Sequence, residues 1–138
     1  MEADTLNTLV SGAIWRAEQL EALGIGSAPQ AWAEVSLLEE ELAKVHPVSE
    51  PEGRIARRGA VRAALKAGDY ARAYALTTLY VAEADAPKSI KLGLSKMLDE
   101  DAKAMARSFR FAAKHHSSRE ARDLARQFRE TGAFGLAA

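Results

Sequence analysis

Apolar side chains recur at helical spacing along most of the chain, since residues three and four apart share one face of an α-helix. The first stripe ends before Gly24, and the second follows a start signal in which Ser27 can cap a helix and Pro29 lies in its first turn. The first stripe consists of Leu6, Leu9, Val10, Ala13, Ala17 and Leu20. The second consists of Trp32, Val35, Leu38 and Leu42. A break follows at 46–53, which holds two prolines and a glycine.

Two further helices are predicted after this break. The first covers about Arg54 to Ala67 and has a poor apolar face, because it is rich in alanine and basic residues. Gly68 and Asp69 end it, and Asp69 can cap the next helix, at 70–84. That helix has only two charged residues among fifteen. An apolar surface nearly all the way round is typical of a central helix that is buried on several sides.

The last part of the chain is predicted to be helical as well. One apolar stripe persists over about 88–114, as one long helix or as two helices that meet near Gly93 or Asp99. Ser117 is placed to cap a final helix. Strand-like alternation does not rise above background. We therefore expect an all-α fold, an antiparallel bundle of five to seven helices formed by 1–138 as a single domain.

The charge of the chain is zero overall but unevenly divided. Residues 1–52 hold ten acidic and two basic residues, a net charge of −8, and residues 53–138 hold nine acidic and seventeen basic residues, a net charge of +8. A basic arm for an anionic partner would explain the division, as would halves that face each other or two copies that pair head to tail. Because nucleic-acid binders are usually basic overall, the balanced total favours self-complementation.

The cations of the C-terminal half are predicted to lie on two helical faces. At about 100° per residue, one group lies opposite the apolar stripe that contains Met105 and Phe109. This group is Lys96, Lys103, Arg107, Arg110 and Lys114. The final predicted helix carries a second group, Arg119, Arg122, Arg126 and Arg129. Every amphipathic helix needs a solvated face, so these cations are either that face or a docking surface for an anionic partner.

Trp15 lies about 180° from the apolar stripe of the first helix, on its otherwise polar side. A tryptophan in that position is either covered by another helix of the same chain or exposed as an interface anchor. We expect intramolecular cover, and we retain Trp15 as a candidate partner-binding residue.

Few residues are arranged for catalysis or for cofactor binding. Cysteine is absent, and His46 lies in a loop. The adjacent pair His115 and His116 lies at a predicted helix end, and because neighbours in a helix point about 100° apart, the pair is poorly placed to chelate one ion. The consecutive acids at 39–41 fan around their helix in the same way, and neither GxxxxGK[ST] nor GxGxxG occurs. We therefore expect no enzyme activity, no metal and no cofactor.

The two ends of the chain bear on its location and turnover. The first residues, MEADTLNTLV, have no basic stretch ahead of an apolar run, so no secretory signal is indicated. No apolar run approaches the ~18 residues that a membrane span requires. These features favour a soluble cytoplasmic protein. The final residues, LAA, resemble the end of a bacterial degradation tag, which implies an adaptor or regulator with controlled turnover.

The segment KAGDYARAYAL, at 66–76, resembles the turn of a tetratricopeptide repeat, in which Gly-Asp-Tyr joins two helices and a small residue follows at Ala73. The resemblance covers residues 54–84. Arg57 and Thr77 stand where the family commonly has a Trp-like residue and an aromatic residue, and no second copy occurs. The resemblance implies a helical hairpin with a protein-binding groove.

Two hypotheses of function follow. The first is a non-catalytic protein-interaction or adaptor module that binds an acidic protein surface or associates with itself as a homodimer. The alternative is a nucleic-acid-binding regulator that uses the same cations, and Ala64 with Gly68 has the spacing of a helix-turn-helix turn. Against this alternative, Phe109 and Phe128 lie on the apolar stripes and are not free to stack on bases. A membrane partner is disfavoured, because the face opposite the cations is needed for the core.

Overall fold

The computed structural model describes residues 2–115 and Arg126, and residues 2–115 form five α-helices without a strand. The helices are α1 (Ala3–Ala22), α2 (Ala28–Val45), α3 (Pro51–Lys66), α4 (Tyr70–Val81) and α5 (Lys88–His115). The predicted all-α class is confirmed over this range. The apolar stripe predicted over about 88–114 forms one long helix, α5. The final predicted helix after Ser117 lies outside the described residues, apart from Arg126, as does the LAA tail.

The turns between helices use the residues that the sequence marks for them. Gly24 and Gly68 have positive φ angles, +67° and +77°, a left-handed conformation that glycine adopts without steric cost. The predicted cap at Asp69 is confirmed, because its carboxylate accepts a hydrogen bond of 3.0 Å from the backbone N–H of Arg72. Ser27 occupies the predicted N-cap position of α2, but its side chain makes no capping hydrogen bond within residues 2–115.

The centre of the fold is α3, which packs against α2, α4 and α5. Its small side chains let the neighbouring helices approach closely, and the hydroxyl of Ser36 on α2 donates a 2.7 Å hydrogen bond to the carbonyl of Ala60. The expectation that the fourth helix would be central is therefore wrong. The buried residues of α3 are Gly53, Ala56, Arg57, Ala60, Val61, Ala63, Ala64 and Leu65.

One side of α4 is buried and the opposite side is exposed. The buried side consists of Ala73, Leu76, Thr77 and Tyr80. We name the exposed, uncharged residues at helical spacing on the other side the α4 outer stripe, and these are Ala71, Tyr74, Ala75, Thr78 and Leu79. The near absence of charge from α4 therefore reflects an apolar outer surface as well as a core face.

Burial along α5 is concentrated in its first half. Ile90, Leu94 and Leu98 are buried against the core, whereas Met105 further along is only half-buried. The helix has 28 residues, which corresponds to about 42 Å. Among the described residues, α5 packs against α3 and α4 and not against α1 or α2.

The first helix lies at the periphery and packs chiefly on α2. Leu6, Val10 and Ala17 of its predicted stripe are buried, as expected. The inclusion of Leu9 in that stripe is wrong, because Leu9 is 43% exposed.

Candidate functional site

The first candidate surface is the α5 basic face, which we define as Lys96, Lys103, Arg107 and Arg110. All four are exposed on the side of α5 opposite its buried residues. Lys96 lies 3.9 Å from the carboxylate of Glu100, one turn along the helix. The other three make neither a hydrogen bond nor an ion pair within the described part of the chain. Three of the five cations predicted for this face, Lys103, Arg107 and Arg110, therefore have no partner among the described residues. The side chain of Lys114 lies outside the described residues.

The second predicted group of cations lies almost wholly beyond the described range. Arg126 is exposed. Arg119, Arg122 and Arg129 lie outside the described residues, so a second basic face stays a prediction.

The acidic N-terminal half does not cover the α5 basic face, because neither α1 nor α2 packs against α5 in the described structure. Two ion pairs do join the two halves of the chain. Lys66 lies 3.5 Å from Glu21, and Arg72 lies 2.9 Å from Glu40. Their cations belong to α3 and to α4, so neither of these two ion pairs involves α5.

Trp15 on α1 is 66% exposed. The expectation of intramolecular cover is therefore wrong for the part of the chain that is described. The physical reason is that α1 packs chiefly on α2, which leaves the outer side of α1 uncovered. An indole exposed to this extent is available as a contact for a partner.

A buried guanidinium ties α3 to α4 and to the loop before α3. Arg57 is 6% exposed and forms two charge-assisted hydrogen bonds, of 2.7 and 2.9 Å, with the carboxylate of Glu83. It also donates 2.9 Å hydrogen bonds to the carbonyls of His46 and Gly53, and it lies 5.4 Å from the ring centroid of Tyr80. All the polar groups in this cluster except the tyrosine hydroxyl are paired, which indicates a structural role.

Arg72 forms a similar link between α4 and α2. It donates a 3.0 Å hydrogen bond to the hydroxyl of Ser36 and a 2.9 Å hydrogen bond to the carboxylate of Glu40. Close by, the hydroxyl of Tyr80 is buried with no partner among the described residues. Burial raises the pKa of Tyr80 to about 12, and the charge of Glu40 acts in the same direction, so this hydroxyl is not suited to proton transfer near neutral pH.

A cleft of about 180 Å³ lies between α1, α2 and α3, and we name it the Glu39 cleft. Glu39 is 5% exposed, and its carboxyl makes neither a hydrogen bond nor an ion pair with the described residues. Burial raises the pKa of Glu39 to about 7, and the positive charge of Arg62 opposes that rise. Gly59 makes room for this carboxyl, because a Cβ there would lie only 2.6 Å from the Glu39 Cδ.

The rim of the Glu39 cleft is held by paired side chains. The indole N–H of Trp32 donates a 3.1 Å hydrogen bond to the carboxylate of Glu21. The ammonium group of Lys66 lies 4.8 Å from the centroid of the Trp32 ring and 3.5 Å from Glu21. This arrangement fixes one wall of the cleft and engages one of its two cations.

The remaining titratable residues form no further site in the described range. His46 lies 3.4 Å from the carboxylate of Glu50 in the loop before α3. Within residues 2–115 no group of three histidine or acidic side chains is placed to hold a metal ion. The side chain of His115 and the whole of His116 lie outside the described residues.

Comparison of the chain with protein-family models, with curated proteins and with solved structures gives no match. In the described part of the chain, no helix has the length and apolar character that crossing a membrane requires. The five described helices place the chain in the all-α class. The resemblance to a tetratricopeptide hairpin stays a prediction.

Proposed function

We propose that this chain is a non-catalytic protein-interaction module, an adaptor or regulator in the cytoplasm, that binds an acidic protein surface through the α5 basic face. One observation supports this most directly. Four exposed cations share one face of α5, and neither acidic helix of the chain packs against that helix. The face extends from Lys96 to Arg110, which is about 21 Å along a helix. A surface of this kind suits a partner whose acidic groups are similarly spread.

A second copy of the chain is the first partner to consider. The outer surfaces of α1 and α2 carry exposed acidic residues, and the total charge of zero allows two copies to pair head to tail without net repulsion. On these two helices the exposed acids are Asp4, Glu18, Glu21, Glu34 and Glu41. Individual surface ion pairs contribute only about 0.2–1 kcal/mol, so several must form together for a stable complex.

The proposal includes an antiparallel bundle as the scaffold of this surface. Successive helices are joined by only three to six residues, and each helix packs against its neighbour in sequence. Connections this short favour antiparallel neighbours. The exposed indole of Trp15 would then add an apolar contact on the opposite, acidic part of the molecule.

The proposal is tested by light scattering at low and at high salt. We expect association that weakens with salt, because screening reduces attraction between exposed charges. The double variant Arg107→Glu/Arg110→Glu should abolish association, whereas Lys88→Glu/Lys91→Glu changes the net charge equally on the same helix and should not. A monomer at all concentrations, unchanged by salt, would exclude self-association. Binding to acidic proteins would then be tested with polyglutamate and the same two variants.

The alternative of a nucleic-acid-binding regulator is favoured by the same exposed cations. An electrophoretic shift assay with mixed-sequence DNA and RNA at low salt separates the two functions. A shift at micromolar protein whose salt dependence has a slope near the number of phosphates contacted would replace the protein-binding proposal. The absence of a shift would remove the alternative.

A further inference from the structure

We propose that the Glu39 cleft is a binding site for a small primary alkylammonium ion, with the Glu39 carboxylate as its counter-ion. This inference is independent of the proposed function, because the cleft lies between α1, α2 and α3 and shares no residue with the α5 basic face.

The first support is the state of the Glu39 carboxyl. Buried polar groups nearly always have a hydrogen-bond partner, and a buried carboxyl without one is costly. Glu39 is 95% buried as a whole residue and lines the cleft, and its carboxyl oxygens, which retain some contact with solvent, have no hydrogen-bond partner among the described residues. Gly59 beneath it provides the space that the carboxyl occupies. An ammonium group has three N–H donors, which would supply the missing hydrogen bonds, and a positive charge, which would add to that of Arg62.

The second support is the balance of charge around the cleft. Three carboxylates, of Glu18, Glu21 and Glu39, face two cations, Arg62 and Lys66. Lys66 is engaged by Glu21 and by the Trp32 ring, so Arg62 is the one remaining cation of the cleft lining for the carboxylates of Glu18 and Glu39. This leaves the site one negative charge in excess when all the acids are ionised. An anionic ligand would be repelled from Glu39, and a cationic ligand would restore neutrality.

The third support is the size and polarity of the remaining walls. Ile14, Val35 and Ala63 provide apolar surface beside the carboxyl. A volume of about 180 Å³ corresponds to roughly six water molecules at ~30 Å³ each. This suits a short alkyl chain with a terminal ammonium group, since n-butylammonium has a comparable number of non-hydrogen atoms.

A bound ammonium ion would change the protonation of Glu39. Burial raises the pKa of this carboxyl to about 7, and a positive charge in contact with it would lower the pKa again. Binding near pH 7 should therefore release protons. The other charged groups that face the site are Glu18 and Glu21 on α1 and Arg62 and Lys66 on α3.

The test uses the fluorescence of Trp32 in a Trp15→Phe variant, which leaves Trp32 as the sole tryptophan, since the chain has two. We expect n-butylammonium at pH 8 to give a saturable change in emission, and Glu39→Gln to weaken that binding at least tenfold. The matched control Glu41→Gln, on the exposed side of α2, should bind as the parent does. n-Butanol and butyrate should not compete.

Calorimetry in two buffers of different ionisation enthalpy checks proton release at pH 7. We expect release on binding of n-butylammonium and none in the Glu39→Gln variant. Three results would overturn the inference: no saturable response to n-butylammonium at tens of millimolar, an equal response to n-butanol, or undiminished binding in Glu39→Gln. None of these results bears on the α5 basic face, so the two proposals fail separately.

Discussion

Composition suggests that the apolar α4 is the central helix and the charged α3 a peripheral one, whereas the structure shows α3 at the centre. α3 has six charged residues among sixteen, yet eight of its residues are buried. α4 has one charged residue among twelve, yet only four of its residues are buried. The difference shows that the number of neighbours a helix can admit decides its place in the core. Small residues such as Ala60 admit close neighbours, whereas large apolar residues on every side need a partner for each side.

The largest expected effect separates the buried Arg57 from the half-buried Arg72. Arg57→Leu should lower the free energy of unfolding by about 3 kcal/mol, because Glu83 and two backbone carbonyls lose their donor. Arg72→Leu should cost roughly half as much, since Arg72 and Glu40 are each 23% exposed and water replaces part of the lost interaction. Urea denaturation of both variants measures the difference, and equal losses would contradict the central position of α3.

A matched pair of alanine substitutions tests the same comparison by volume. Ala60→Leu should lower the free energy of unfolding by about 2 kcal/mol, because the position is fully buried and the added atoms force the helices apart. Ala75→Leu lies on the α4 outer stripe and should change stability by less than about 0.5 kcal/mol. A large loss from Ala75→Leu would mean that another surface covers the stripe.

The pH dependence of stability should reveal Glu39, the acid that Gly59 of α3 accommodates. Its folded pKa of about 7 lies above the unfolded value of 4.5, so the unfolded chain releases the proton first as pH rises. The contribution of Glu39 to stability should fall between about pH 4.5 and 7.5 and stay constant above. The Glu39→Gln variant should therefore be more stable than the parent at pH 8 and equally stable at pH 4. Urea denaturation of both proteins at the two pH values measures this difference. Glu41→Gln is the control, and an equal gain in it would refute the assignment.

The smallest expected effect comes from the α4 outer stripe. Leu79→Ser should change the free energy of unfolding by less than about 0.5 kcal/mol, because Leu79 is 58% exposed. Thermal denaturation at several protein concentrations measures this effect. A loss that grows with concentration would show that the stripe is buried between copies of the chain, and α4 would then be as covered as its composition suggests.

The boundaries of the helices follow from local chemistry, so the sequence predicts them well. Gly24 and Gly68 end helices through left-handed conformations, and Asp69 caps α4 through its own carboxylate. These interactions lie within a few residues of one another. The position of each helix relative to the others depends on distant residues, so the sequence does not predict the surroundings of Trp15 and α4. Periodicity identifies the apolar face of a helix but not which neighbour covers it.

The candidate sites divide in the same way. The α5 basic face could be predicted, since 100° spacing alone places its cations opposite the apolar stripe. Glu39 and Arg57 could not be predicted, because each depends on a distant residue. Arg57 pairs with a carboxylate 26 positions away, and Glu39 fits against a glycine on the next helix. One signal was present for each: a basic residue where the repeat family has an aromatic one, and three consecutive acids that cannot all face solvent.

The two glycines that α3 presents to the preceding segment should leave different traces in related sequences. A Cβ at Gly53 would collide with the backbone of Pro47 and lie 2.8 Å from the carbonyl oxygen of His46, so no change at another position can relieve it. A Cβ at Gly59 would meet only the side chain of Glu39, which a smaller residue would vacate. We therefore expect glycine to be invariant at position 53. Positions 39 and 59 should covary, so that a residue larger than glycine at 59 occurs together with a residue smaller than glutamate at 39.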